Sequence, residues 1–402
     1  MTTTARPVTW ADRLATRARG DVGAGILEIL ALAGDTSLIP FAGGFPDPAT
    51  FPADEAAALL AELAASGDRS PFQYSPTRGL PGPRDAMADR LERLQGRRPG
   101  DDELLVTSGG IDGLELVAKS FLDPGDAVLA ERPTYLGAIM AFRGFEAHVA
   151  SVPIDADGLD VEALDALLAG GLRAKLLYTI PDHANPAGVS LSTERRVALV
   201  ALARRHGFVL VEDVAYRELS FDGTALPSLW SLGPDVVVQL GTTSKTFFPG
   251  VRLGWAVGPA PVVAQLVEAK QNTDQCAGAL GQRLWEEYAR RGAMDSRLAA
   301  SRDLYRRRCE RLLAAFEREL PDDVAWTRPR GGFFSWVTLP EGVDARELAR
   351  RAAGEGVAVV PGDPFFPDGR GSRNLRLSFS CVADELIDEG VARLAALLPE
   401  PR

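Results

Sequence analysis

Gly241-Thr-Thr-Ser-Lys-Thr-Phe-Phe-Pro-Gly-Val-Arg-Leu-Gly254 places one lysine, Lys245, between a serine and a Pro-Gly turn. The largely apolar run Val236–Leu240 stands just before it and reads as a buried parallel strand. A lysine at the edge of an apolar region is costly to charge, so its pKa falls and its amine becomes a nucleophile toward aldehydes. Ser244 and Arg252 add a hydroxyl and a guanidinium fork, groups that suit a bound phosphate. An aldehyde carrying a phosphate describes pyridoxal 5′-phosphate (PLP), which also needs an acid beside its ring nitrogen. The simpler reading, a surface lysine in a turn after a strand, stays open on this stretch alone.

Composition narrows the class. The 402 residues are 46% hydrophobic and 25% charged, enough for a large core in one α/β unit with a smaller partner. A net charge of −11 argues against nucleic acid or an anionic membrane as the main partner. Cys276, Cys309 and Cys381 are odd in number and widely spaced, which points to a reducing cytoplasm. His148, His183 and His206 offer no metal-binding spacing. No run approaches a membrane span, and the Thr- and Arg-rich first 20 residues lack a signal-peptide core.

Outward from Lys245, seven strand-like runs between 103 and 257 alternate mostly with helical patterns, predicting a largely parallel sheet covered on both faces. Ser108-Gly-Gly110 follows the first strand and opens a helix, an arrangement that offers backbone N–H groups to an anion. Tyr135 opens the next helix and is either a core aromatic or a ring that stacks on a flat ligand. Another strand ends in the polar loop 178–188 with Asn185, where open α/β sheets bind ligands. Phe208–Val211 leads to Glu212-Asp213 and Tyr216; an acid at a strand end is either solvated or paired with a ring nitrogen. Near the N-terminus, Phe41-Ala-Gly-Gly-Phe-Pro-Asp-Pro48 and the segment 71–84 with Tyr74 are shaped loops, and residues 1–40 are partly helical, with a stripe of Ile26, Leu27, Ile29, Leu30 and Leu32. From about 280 the chain changes to long charged helices, broken near Gly292, and short strands of a smaller α+β unit. Within it Arg376 sits in a strand, either solvated or clamping a carboxylate.

The order Asn185, Asp213, Tyr216, Lys245, Arg252, Arg376, with VEDVAYREL, TTSKTFFPGVRLGW and PRGGFFSW around it, resembles the fold type I PLP-dependent aminotransferases of class I/II. The likeness covers nearly the whole chain and is nearest to the branch of 2-aminoadipate and broad-specificity aminotransferases. It implies a segment 1–50 packing on the small domain and the active site, a large PLP-binding domain over 51–285, and a small C-terminal domain over 286–402. It implies Lys245 as the Schiff-base lysine, Asp213 at the pyridine nitrogen, and Asn185 and Tyr216 at the phenolic oxygen. Tyr135 would stack on the ring. Ser244, Arg252 and the N–H groups of Gly110 and Ile111 would hold the phosphate, with Tyr74 reaching it from a second subunit of a homodimer. Arg376 and Asn185 would clamp the substrate carboxylate, and Gly44 would line the pocket. The expected reaction is transamination of an L-amino acid with a 2-oxo acid; a PLP-dependent lyase or oxidative deaminase is the alternative.

Three departures from the family pattern stand out. Leu27 occupies a position that often holds an arginine able to meet a second carboxylate, which counts against 2-oxoglutarate as acceptor. Ile111 and Asp112 stand where two glutamines are common. His183, in the loop before Asn185, is either packed near the cofactor without titrating or faces the substrate and alters the reaction.

Overall fold

The computed structural model describes residues 9–18, Leu27, Ile29, Ala31, Leu32 and 34–399. Of the expected N-terminal stripe, Ile26 and Leu30 lie outside these residues. The strand Ile39–Pro40 (β1) leads through the loop 41–52 to helices Ala53–Ala65 (α1) and Pro81–Gln95 (α2). The alternating region follows: Leu104–Thr107 (β2), Gly110–Phe121 (α3), Ala127–Arg132 (β3), Leu136–Gly144 (α4), His148–Asp155 (β4), Gly158–Leu159 (β5) and Val161–Ala169 (α5). It continues with Leu176–Thr179 (β6), Thr193–His206 (α6), Val209–Asp213 (β7), Leu229–Leu232 (α7), Val237–Thr242 (β8), Gly254–Val257 (β9) and Ala260–Gln271 (α8).

These strands form one sheet in the order β2-β9-β8-β7-β6-β3-β4-β5. From β8 to β4 every neighbour is parallel, while β9 runs antiparallel to both β2 and β8. The expected count was seven; the eighth strand is β5, a two-residue return that pairs with the end of β4. Gly158 and Leu159 are too few to show an alternation pattern, so the sequence carries no strand signal there.

Apolar strand runs produce this sheet because both faces are covered. In β2, Leu104 and Val106 pack into one layer while Leu105 packs into the other. Val237 and Val238 of β8 divide the same way. Helix boundaries follow local chemistry. Ser192 accepts a hydrogen bond from the Arg195 amide at the start of α6, and Gly207, at φ 73°, ends it.

Helices Ala279–Arg290 (α9) and Ala293–Glu319 (α10) meet at Gly292, whose φ of 75° suits glycine and breaks the helical pattern where expected. Beyond them, Ala325–Trp326 (β10), Phe334–Thr338 (β11), Ala345–Gly354 (α11), Val357–Ala358 (β12), Val360–Pro361 (β13), Asn374–Ser378 (β14) and Ile387–Ala395 (α12) complete the chain. Strands β10-β11-β14-β13 make an antiparallel sheet. The N-terminal β1 pairs in parallel with β12, so the loop after it is tied to this smaller sheet. The tie is reinforced where Ser378 N donates to the Phe41 carbonyl and Ser380 Oγ to that of Phe45. Arg308 Nη1 donates to Asp47 at 2.6 Å.

Candidate active site

Four parallel strands end on one edge of the large sheet: β3 at Arg132, β6 at Thr179, β7 at Asp213 and β8 at Thr242. Carboxyl ends of parallel strands are where such sheets hold ligands. Lys245 follows β8 in a single 3-10 turn and is half-buried. Its Nζ donates to the Gly44 carbonyl at 2.8 Å and lies 5.9 Å from the Tyr216 ring centre and 5.7 Å from that of Phe333. Burial, and then the positive charge of Arg376, lower its pKa from 10.5 to about 8. Asp213 also acts on this amine electrostatically.

Asp213 closes β7. Its carboxylate accepts a hydrogen bond from the Tyr178 hydroxyl at 2.8 Å and from the Ala215 amide at 3.1 Å, while burial raises its pKa. The neighbouring Glu212 points through the other face of the sheet, where it accepts from the amides of Leu229 and Trp230 and from Gln239. Strand alternation thus separates the two acids, one structural and one facing the crevice.

Arg376 comes from β14, across the crevice. Its guanidinium donates to Asn185 Oδ1 at 3.1 Å and to the Ala42 carbonyl at 2.7 Å, and lies over the rings of Phe334 and Phe365 at 4.4 and 4.9 Å. It is buried, makes no ion pair among the described residues, and its Nε has no partner. Burial brings its pKa down to about 10. Tyr216 lies edge-on to Phe333 and Phe334, with its pKa raised by burial. Tyr135 precedes α4 within electrostatic range of Asp213, Arg376 and Arg252. A side chain on Gly44 would press on the Phe334 ring at 3.1 Å, so glycine keeps the loop close to Arg376.

The second half of the crevice gathers at the start of α3. Gly109 caps this helix at φ 94°, and Gly110 and Ile111 fill its first turn, where backbone N–H groups lack intrahelical partners. Arg252, itself at φ 51°, donates weakly to the Ser108 carbonyl at 3.4 Å and lies against Gly109. A Cβ on Gly109 would come within 2.5 Å of the Arg252 guanidinium. Ser244 is buried nearby, where its hydroxyl accepts from Thr242 Oγ1 at 2.9 Å. A helix N-terminus, a guanidinium and a hydroxyl near one another match the needs of a phosphate dianion. A desolvated amine and a carboxylate match those of a pyridine aldehyde, so the donor set fits PLP.

Tyr74 is the residue the single chain does not bring here; its side chain is 80% exposed. His183 is held by two serines. It is buried at φ 51°, its Nε2 is 2.8 Å from Ser220 Oγ and its Nδ1 is 3.3 Å from Ser190 Oγ. Burial lowers its pKa to about 4. The His183 ring leaves no room for a Cβ on Gly331, and the His183 Cβ leaves none on Gly332, which accounts for the paired glycines of PRGGFFSW. Sequence reasoning missed Tyr178 and the Phe333–Phe334 pair. A tyrosine inside an apolar strand needs a partner for its hydroxyl, and that was the available signal.

The description "Aminotransferase class I and II" matches residues 38–394. The 2-aminoadipate transaminase of Thermus thermophilus is 39% identical over 98% of both chains. Aromatic-amino-acid aminotransferase 1 of Thermococcus litoralis is 34% identical over 96% of this chain and 93% of its own. The solved structure of alpha-aminoadipate aminotransferase from Thermus thermophilus, complexed with N-(5′-phosphopyridoxyl)-L-leucine, superposes with a TM-score of 0.91 at 39% identity, covering 97% of this chain and 98% of that one. The chain therefore belongs to the class I and II aminotransferases, with the fold type I architecture and the PLP-dependent amino-group transfer of that family.

Proposed function

We propose that the crevice between the large sheet and β14 moves the amino group of an L-amino acid to a 2-oxo acid with the residue roles that follow. The observation that carries this is the pairing of a half-buried lysine of lowered pKa with a buried arginine that has no acidic partner among the described residues. Bound PLP supplies an aldehyde for the amino group and a ring that draws electrons from the substrate Cα. Lys245 holds the cofactor and is the base that takes the Cα proton. Asp213, whose Tyr178 and Ala215 bonds counteract the effect of burial, would pair with the ring nitrogen, and Tyr135 would stack on the ring. Asn185 and Tyr216 hydrogen-bond its phenolic oxygen. Ser244, Arg252 and the amides of Gly110 and Ile111 hold the phosphate. Arg376, steadied by Asn185, clamps the substrate carboxylate, and Gly44 lines its path.

Leu27 is 67% exposed and carries no charge, which supports an acceptor other than 2-oxoglutarate. The exposure of Tyr74 supports a homodimer in which it serves the partner's site. Among the described residues no helix is long and apolar enough to cross a membrane, in keeping with a cytoplasmic enzyme. The domain division at about 50 and 285 is part of the same proposal.

Lys245→Ala tests the assignment. The variant is expected to lose the visible absorbance of lysine-bound cofactor and at least 99% of its transamination, roughly the scale of losing a catalytic base. Retained absorbance with full turnover overturns it. On wild type, a panel of amino acids read by the same absorbance identifies the substrate side chain.

A further inference from the structure

Lys270 and Asp112 have no part in the roles above, yet they lie directly behind the proposed phosphate turn. Lys270, in the last turn of α8, is fully buried. Its Nζ donates to Asp112 Oδ2 at 2.7 Å and to both oxygens of Asp274, at 2.7 and 2.8 Å, and is 3.3 Å from Ser108 Oγ. The same Asp112 oxygen accepts the Ser108 amide at 2.8 Å, and Ser108 Oγ donates to Asp274. The Ser108 carbonyl accepts from Arg252. All three polar groups of Ser108 are thus fixed, two from behind by carboxylates and one from the front by the arginine. The backbone that leads into Gly109 and Gly110 is thereby held at Ser108.

The charges make the lysine necessary. Two carboxylates against one ammonium leave a single excess negative charge; without Lys270 there would be two, behind a turn that faces a dianion. Negative charge is already crowded there, since burial and the charge of Asp112 raise the pKa of Glu115. A neutral residue at position 112 would not need such a cation.

We infer that Lys270 is a positioning residue for the cofactor phosphate: by offsetting one of the two negative charges of Asp112 and Asp274 it lets them lock Ser108 with less repulsion of the phosphate at Gly109–Ile111. The inference rests on the phosphate placement proposed above. It is tested by comparing the affinities of the full-length, cofactor-free enzyme for PLP and for pyridoxal, the same aldehyde without phosphate. Folding is checked by circular dichroism.

Lys270→Met is expected to weaken PLP about tenfold or more and pyridoxal less than about twofold, because charge acts on the phosphate alone. Adding Asp112→Asn, which keeps an acceptor for the Ser108 amide, is expected to bring PLP affinity back to within about threefold of wild type. A folded Lys270→Met that binds PLP normally, or that loses PLP and pyridoxal equally, overturns the inference. If Lys270→Met does not fold, the double variant decides: PLP affinity within about threefold of wild type supports the role, and a loss of about tenfold or more overturns it. Arg252→Met separates the two layers of argument. If it leaves the preference for PLP over pyridoxal unchanged, the phosphate placement itself is wrong. If it lowers that preference while Lys270→Met does not, only the role of Lys270 falls.

Discussion

His183 shows how a residue beside the chemistry can belong to the scaffold. Its two serine partners and its seat against Gly331 and Gly332 hold a neutral ring, with a pKa brought from 6.5 to about 4 by burial. In the unfolded chain the ring takes a proton below pH 6.5, while the folded protein refuses it until about pH 4. The unfolded state then binds more protons, so stability is lost as pH is lowered from 6.5 to about 4, by about 3 kcal/mol for a shift of this size. His183→Gln is expected to be less stable at pH 7, because it loses packing and one serine bond. Its deficit against wild type should narrow as pH falls from 6.5 to 4, while the absorbance of bound cofactor stays unchanged. Denaturant melts at several pH values measure this; a deficit that grows toward acid contradicts it. The sequence left both readings of His183 open because Ser190 and Ser220 meet it only in the fold, the second of them 37 positions away.

The turn from β2 into α3 is the element to which the proposed phosphate binding is assigned. Its strand-glycine-helix order was visible in the sequence, but what keeps it open was not. That requirement is the closeness of Arg252, 143 positions further on, to the missing Cβ of Gly109. Gly109→Ala would place a methyl group 2.5 Å from the guanidinium on a backbone at φ 94°, so arginine or turn must move. The expected result is a loss of about tenfold in PLP affinity, the scale of one displaced charge-assisted bond, together with a lower melting temperature of the cofactor-free protein, because alanine is strained at this φ. Unchanged PLP affinity contradicts the assignment of this turn. The strands of the large sheet were legible because short apolar runs bounded by turn signals fit strands buried on both faces. The return β5 and the two-residue β1 were not, since pairing rather than local composition makes them strands.

At the scale of the whole molecule, the region of the large sheet supplies Lys245, Asp213 and the turn before α3, and the smaller sheet supplies Arg376 from β14. Sequence order alone aligned Lys245, Asp213 and Arg376, because each lies in a run whose apolar neighbours define a strand. Tyr178 and the Asp112–Lys270 pair escaped notice, because their meaning lies in partners brought together by packing of β6 on β7 and α3 on α8. Tyr74 extends the account beyond one chain. Sedimentation is expected to give twice the 42.9 kDa chain mass, and Tyr74→Phe to weaken PLP several-fold, about the value of one hydrogen bond to a charged group, while the dimer persists. A monomer with full cofactor occupancy contradicts the crossing. The central claim concerns which amine holds the cofactor, and the chain offers Lys119, Lys175, Lys245 and Lys270 as candidates. Borohydride reduction of the holoenzyme, followed by peptide mapping, reads this directly. The phosphopyridoxyl label is predicted on Lys245 alone; a label on Lys119, Lys175 or Lys270 would contradict the account.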